Sequence, residues 1–331
     1  MHDAPDRDSD SLDPVASCPT VPAMPVDGPA PTDSRCDTPL LPAEPLLSTG
    51  SRATLTLLTG MHAGRPTTVE VAGAIVGRAG DANLVVDDAG VSRRHARVAR
   101  ASDGCFYVED LRSTNGTFVG SARVGIALLR QGDVMQLGPQ VRIRFAMVDE
   151  PEESLLRNLY EFSVHDPLTH LYNRDYLADR LLAEVARARR TNGELSLLMA
   201  DVDSLKPVND RFGHVAGDRA VCLVGARIKR AIRLEDVLAR YGGGEFVVIA
   251  PRTGAVEALH LAERVRRAIS ELRLGARGES VHLTLSIGVA SLAEVTSADR
   301  HLLGLVALAD SRLYRAKRDG RNRVCSVSPS A

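Results

Sequence analysis

Residues 195–218 read Leu-Ser-Leu-Leu-Met-Ala-Asp-Val-Asp-Ser-Leu-Lys-Pro-Val-Asn-Asp-Arg-Phe-Gly-His-Val-Ala-Gly-Asp. The run Leu195–Ala200 is almost wholly apolar, the pattern of a strand buried on both faces. It leads into Asp201-Val202-Asp203, two carboxylates one residue apart at the strand's C-terminal end. That arrangement suits a hard cation that also holds nucleotide phosphates, although Asp-x-Asp in isolation is often only a solvated turn. Working outward, Ala216–Arg233 has helical apolar spacing, two strands flank Gly242–Gly244, and Ala255–Leu272 reads as a helix. Val281–Ala290 reads as one strand and Leu302–Lys317 as the last long helix. Upstream, Asp166-Pro-Leu-Thr-His-Leu-Tyr-Asn173-Arg174 is a turn opening a helix. Strands alternating with helices specify an α/β domain.

Before it, residues 51–148 have a different rhythm. Short β-rich runs recur about every ten residues: Thr54–Leu58, Val69–Val71, Ile75–Gly77, Leu84–Val86, Cys105–Asp110, Thr117–Val119, Val134–Leu137 and Val141–Phe145. Turn pairs such as Gly80-Asp81, Asp103-Gly104, Asn115-Gly116 and Gly132-Asp133 separate them, so an all-β sandwich is predicted. Residues 149–165 read as a linker helix with Leu155, Leu156, Leu159 and Phe162 close to one face.

Residues 1–50 are rich in Pro and Asp. Ten of the chain's 17 prolines precede residue 49, with no aromatic residue among them, so a disordered tail is expected. Residues 1–48 carry a charge of −7, which leaves +6 on the rest of a chain whose net charge is −1. Dispersed over so many residues, that excess does not make a nucleic-acid surface. No apolar run approaches the roughly 18 residues a membrane span needs, and the acidic N-terminus lacks the pattern of a signal peptide. Cysteines 18, 36, 105, 222 and 325 show no paired or metal-like spacing. A cytoplasmic protein is therefore expected.

Four short motifs stand in order in the β module: Gly77-Arg78, Ser92-Arg93-Arg94-His95, Ser113-Thr114-Asn115-Gly116-Thr117 and Gly132-Asp133. Taken singly, Asn115-Gly116 is a hairpin turn and Arg78 a solvated charge. As an ordered set they resemble the forkhead-associated (FHA) domain, whose known task is binding phosphothreonine peptides. A guanidinium, hydroxyls and backbone amides are the groups that hold a phosphate dianion best. The resemblance implies that Arg78, Ser92 and Thr114 contact the phosphate, that Arg93 adds positive charge, and that Asn115 holds the peptide backbone. It gives His95 a bracing role. The ligand is then a phosphorylated partner protein, or the chain's own tail phosphorylated on Thr38 or Thr49.

The α/β motifs continue with Arg240-Tyr241-Gly242-Gly243-Gly244-Glu245-Phe246, Ser286-Ile287-Gly288-Val289-Ala290 and a segment from Ala309-Asp310 to Gly320-Arg321-Asn322. Together they resemble the GGDEF domain of diguanylate cyclases, which join two GTP into cyclic di-GMP with release of two diphosphates. The resemblance implies a palm-like α/β domain over 166–328, with an antiparallel-containing sheet and flanking helices, that works as a homodimer. It implies that Asp201, the Val202 carbonyl and Glu245 ligate Mg²⁺ (or Mn²⁺), with Asp203 close by. Asp201 and Glu245 are then the catalytic carboxylates. Asn209 and Asp218 would read the guanine edge, while Lys206, Lys317 and Arg321 would hold the triphosphate.

The third signature position, an acid in active enzymes of that family, is Gly244 here. Loss of a carboxylate that acts as base or ligand costs about 10²–10⁴ in rate, so turnover is expected to be weak or lost. A glycine is also expected to loosen the hairpin tip. Arg233-Leu234-Glu235-Asp236 stands at the family's Arg-x-x-Asp product site, although that spacing is common by chance as a helix-end ion pair. Three readings remain open: a phosphopeptide-controlled cyclase, a non-catalytic cyclic di-GMP receptor acting through Arg233 and Asp236, and a phosphothreonine-dependent adaptor.

Overall fold

The computed structural model describes residues 51–276, 279–295 and 301–326, so the expected tail over 1–50 lies outside the described residues. The described residues belong to one unit by their contacts.

The first part is a sandwich of two sheets. One runs β2 (Pro66–Thr68), β1 (Arg52–Leu57), β11 (Val141–Val148), β10 (Val134–Leu137), β7 (Thr117–Val119) and β8 (Ala122–Val124). The other runs β4 (Leu84–Val85), β3 (Ala74–Gly77), β5 (Ala96–Arg100), β6 (Phe106–Asp110) and β9 (Ile126–Leu129). The alternation is plainest in β11, where Val141, Ile143 and Phe145 point inward and Arg142 and Arg144 outward. The inward set joins Leu55, Val76, Val98, Val108 and Met135 in one core.

Three expectations change here. Val69–Val71 is not a strand; Pro66–Thr68 pairs with β1 instead, and the Val71 side chain is exposed. Strand β5 was hidden because Arg97 and Arg100 interrupt its small apolar residues, yet it is the central strand of its sheet. Strands β8 and β9 were also missed, being short and largely exposed.

Helix α1 (Glu150–Val164) follows, its first turn capped by Asp149, whose Oδ1 accepts from the Glu152 amide at 2.8 Å. Three of its apolar residues are left uncovered in the single chain. Leu155, Leu159 and Phe162 are 57%, 56% and 74% exposed. The helix is fastened by a buried acid instead: Glu153 accepts from Thr68 at 2.6 Å, Arg157 at 2.8 Å and Arg52 at 3.3 Å. Charge-assisted bonds from three directions offset the desolvation of that carboxylate.

The second part is a five-stranded sheet in the order β13 (Val237–Gly242), β14 (Glu245–Pro251), β12 (Leu195–Val202), β17 (Leu285–Ser291) and β18 (Val324–Cys325), antiparallel except for the last pair. Helices α4 (His214–Ala231) and α5 (Ala255–Ser270) cover one face; α2 (Arg174–Thr191) and α6 (His301–Arg318) cover the other. In β12, Leu198, Ala200 and Val202 pack toward α4 and α5, while Leu195, Leu197 and Met199 pack toward α2 and α6. Burial of both faces is why this strand reads as an apolar run rather than an alternation. The short α3 (Leu205–Phe212) joins β12 to α4. The segment expected as one strand at Val281–Ala290 is two: β16 (Glu279–His282) pairs with β15 (Arg273–Ala276), and β17 begins after a break at Leu283-Thr284.

Candidate functional site

In the sandwich, the first two motifs are direct neighbours. The Arg78 and Ala79 amides donate to the Ser92 and Arg93 carbonyls, each at 3.0 Å. The chains approach so closely that a Cβ on Gly77 would run into the Arg93 carbonyl oxygen, which is why Arg78 is preceded by glycine. The third motif closes over the second, because the Thr114 amide donates to Ser92 Oγ at 3.1 Å. His95, fully buried, ties the second loop to the third: its Nδ1 accepts from the Ser92 amide and its Nε2 donates to the Gly116 carbonyl, both at 3.1 Å. Those two bonds define the neutral tautomer, and burial holds the imidazole pKa below its ordinary value. Ser113 Oγ accepts from the Gly116 amide at 3.0 Å, with Asp110 anchoring Ser113 from below. The rim is therefore rigid, and Arg78, Arg93, Thr114 and Asn115 stand exposed on it. Asn115 Nδ2 is engaged with the Gly90 carbonyl at 2.8 Å.

In the α/β domain, strand parity builds the site. Asp201 pairs with Glu245 across β12 and β14, so the two carboxylates share the α2–α6 face at the end of the sheet. Lys317 reaches across from α6 to place its ammonium 3.1 Å from Asp201 Oδ2. Burial pushes the Asp201 carboxyl above the ordinary carboxylate range, with Lys317 opposing it and Asp203 adding to it. Glu245 is raised likewise, first by burial and then by Asp201. Two half-buried carboxylates that repel each other supply hard oxygen ligands and fit a divalent cation that takes its remaining ligands from phosphates and water. Among the described residues no group of three or more acidic, His or Cys side chains stands together to hold a metal.

Asp203 is occupied otherwise. It is 7% exposed and accepts from Ser286 at 2.6 Å, Thr284 at 2.8 Å and the Asn322 amide at 3.0 Å. It clamps the turn that carries Arg321 to the sheet, beside Asp201. Lys206 and Asp218 are exposed, and Asn209 on α3 turns its side chain against Gly217 of α4. A Cβ on Gly217 would overlap the Asn209 amide oxygen, so that glycine makes room for the asparagine next to Asp218. The Asn209 Oδ1 is buried without a hydrogen-bond partner, the kind of orphan that a ligand explains.

The signature turn differs from expectation. Only Gly243 has a left-handed backbone (φ +41°), and Gly244 is buried rather than loose. Its carbonyl accepts from the Val202 amide at 3.1 Å, and a Cβ there would lie 2.9 Å from Leu205 Cδ2 and 3.3 Å from Val202 Cβ. Arg240, which no sequence argument singled out, holds the turn from behind. Its guanidinium donates to the Gly243 carbonyl at 2.8 Å and to both Asp166 oxygens at about 3 Å. The two partners lie 74 residues apart, so only the motif segments that contain them were visible in the sequence. Arg174 stacks on Tyr241 at 4.5 Å and faces Glu245.

Arg233 and Asp236 do not form the helix-end ion pair that their spacing suggests. Asp236 Oδ2 accepts from the Arg233 amide at 2.8 Å and closes a turn, leaving the Arg233 side chain exposed. Asp236 is 3% exposed, and its Oδ1 has no partner. It lines a cleft of about 770 Å³ between the sandwich and the α/β domain, together with Arg78.

Residues 163–323 match the family described as "Diguanylate cyclase, GGDEF domain", and residues 74–138 match the FHA domain family. The diguanylate cyclase DgcP of Pseudomonas aeruginosa is 38% identical over 171 residues, 52% of this chain and 25% of that protein. The diguanylate cyclase DosC of Escherichia coli is 35% identical over 230 residues, 69% of this chain and 47% of that protein. The chain thus spans half or less of the length of these curated relatives. A solved structure of the coiled coil and GGDEF domain of DgcB from Caulobacter crescentus, in complex with c-di-GMP, is 30% identical. It covers 54% of this chain and 93% of its own, with a TM-score of 0.50.

Proposed function

Because the chain belongs to the GGDEF domain family of diguanylate cyclases over residues 163–323 and carries an FHA domain over 74–138, we propose that it is a cyclic di-GMP signalling protein controlled by phosphothreonine. The sandwich binds a phosphorylated peptide through Arg78, Ser92, Arg93, Thr114 and Asn115. The α/β domain binds GTP through Asn209, Asp218, Lys206, Lys317 and Arg321. Asp201, the Val202 carbonyl and Glu245 would hold Mg²⁺ or Mn²⁺, which when bound would neutralise phosphate charge. Asp201 and Glu245 orient the attacking 3′-hydroxyl, and Lys317 withdraws from Asp201 to meet the triphosphate. Two such domains must face each other for each hydroxyl to reach the other's α-phosphate. The exposed row Leu155, Leu159 and Phe162, at coiled-coil spacing, supports pairing of two α1 helices. A GTP substrate makes the cytoplasm the place of action, and no described helix is long and apolar enough to cross a membrane.

The observation that carries this reading is the Asp201–Glu245 pair facing Lys317 at the strand ends, with Gly244 where the family has a further acid. That gap makes catalysis weak or lost. The test is nucleotide analysis after incubation of the purified chain with GTP and Mg²⁺. A second reading, a cyclic di-GMP receptor, is favoured by the orphan Asp236 Oδ1 in its cleft. Binding of cyclic di-GMP that disappears in Arg233→Ala separates it from a phosphothreonine-dependent adaptor, which binds none.

A further inference from the structure

The phosphate-reading rim and the Arg-x-x-Asp turn belong to different modules and lie far apart in the sequence. Yet Arg78 from the first and Asp236 from the second line the same cleft, whose volume of about 770 Å³ is that of a single ligand site. Its walls are held together by side chains. His62, on the loop after β1, meets the Tyr160 hydroxyl of α1 at 3.1 Å, and its ring lies 6.0 Å from that of Tyr176 on α2. Tyr176 stacks on Tyr172 at 4.0 Å, and Arg180 reaches the Met61 sulfur at 3.8 Å. A cleft with such a floor persists while ligands come and go on either wall.

Its charge is finely balanced. Six cationic and five acidic side chains line it, leaving one net positive charge. Two of the cations have an acid partner within the same cleft: Arg180 is bonded to Glu184 at 2.5 Å, and Arg252 lies 3.9 Å from Glu235. A phosphothreonine on Arg78 brings close to two negative charges and turns the balance negative. A cyclic dinucleotide at the Asp236 turn carries two more on its phosphodiesters. Arg78 lines one part of the cleft and Leu234, Glu235 and Asp236 of the turn line another. Two anions bound in one cleft repel through a medium that screens them only partly.

We propose that the cleft couples the two sites negatively: a phosphothreonine peptide on Arg78 weakens cyclic di-GMP binding at the Arg233–Asp236 turn, and cyclic di-GMP weakens the peptide by the same factor. The proposal rests on the function set out above and adds the regulation of its second site. Linkage demands that the two factors be equal, and at 0.15 M salt a weakening of roughly 3- to 10-fold is expected.

The test is calorimetric titration of the full chain with cyclic di-GMP, alone and saturated with a degenerate nonapeptide pool carrying a central phosphothreonine, followed by the reverse titration. The unphosphorylated pool is the control. Equal weakening in both directions that shrinks in 0.5 M salt supports the proposal. Simultaneous binding with unchanged affinities overturns the coupling and leaves the proposed function standing. A coupling that 0.5 M salt leaves unchanged overturns the electrostatic origin. A flat cyclic di-GMP titration without peptide overturns the receptor reading and the coupling together, and failure of the phosphorylated pool to bind overturns the FHA half in the same way.

Discussion

Replacing Gly244 with glutamate probes the missing acid directly, and the structure allows its effect to be worked out. The backbone at 244 lies outside the left-handed region, so a residue with a side chain adopts it without strain. The new Cβ meets Leu205 Cδ2 at 2.9 Å and Val202 Cβ at 3.3 Å. The closer atom is the free end of a half-buried leucine, which turns aside at a cost of about 1 kcal/mol. The Val202 amide to Gly244 carbonyl bond at 3.1 Å is backbone only and survives. The carboxylate then emerges beside Val202, whose carbonyl is a proposed metal ligand. A carboxylate with a base or ligand role is worth about 10²–10⁴ in rate, roughly 3–5 kcal/mol of barrier. Cyclic di-GMP formation from GTP and Mg²⁺, followed chromatographically, should therefore rise by two to four orders of magnitude in Gly244→Glu. A variant that keeps the thermal midpoint of the parent within a few degrees and makes no more product would refute the reasoning. So would a parent chain that already turns over as fast as the variant.

Arg78→Ala should leave the fold intact, since the side chain is exposed, and weaken a phosphothreonine peptide about 10- to 100-fold by fluorescence anisotropy, the worth of charge-assisted bonds to phosphate. His95→Ala should cost the sandwich about 3 kcal/mol and 10 °C or more of Tm, because the Ser92 amide and the Gly116 carbonyl lose their partner inside. Since the folded His95 has a pKa below the ordinary 6.5, the unfolded chain binds its proton first. Stability from this residue is therefore complete above that value and declines as pH falls through it, and urea midpoints of the parent, but not of His95→Ala, should show that share of the slope. Finally, Leu155→Ser, Leu159→Ser and Phe162→Ser together should convert a dimer to a monomer in light scattering with an unchanged circular dichroism spectrum at about 25 °C, because these side chains are exposed in the single chain.

Much of this architecture is local in origin. Leu195–Ala200 announces a strand covered on both faces, and the motifs of the sandwich stand in the order in which their loops meet. Arg78, Ser92 and Thr114 were expected in one site only through the resemblance that the ordered set of motifs carries. Gly244 could be singled out because a missing carboxylate is visible in the letters themselves.

What the sequence could not hold was proximity between distant residues. Asp203 looked like a second ligand until Ser286, Thr284 and the Asn322 amide, more than 80 residues on, were found to satisfy it. Arg240 and Asp166 showed no relation until the turn at Gly243 joined them. Leu155, Leu159 and Phe162 were legible as lying close to one face but not as exposed, because an amphipathic pattern records that a face is apolar and not what covers it. Strand β5 was lost because β-propensity measures fit to neighbours, and the neighbours are supplied by the sheet. The sequence by itself thus determined the two modules and the residue types of their sites. Tertiary structure alone decided which carboxylate was spent on a clamp, that Gly244 is packed rather than loose, and that Arg78 and Asp236 face one cleft. Composition and periodicity act over a few residues, whereas electrostatic satisfaction and packing act over whatever the fold brings within a few ångströms.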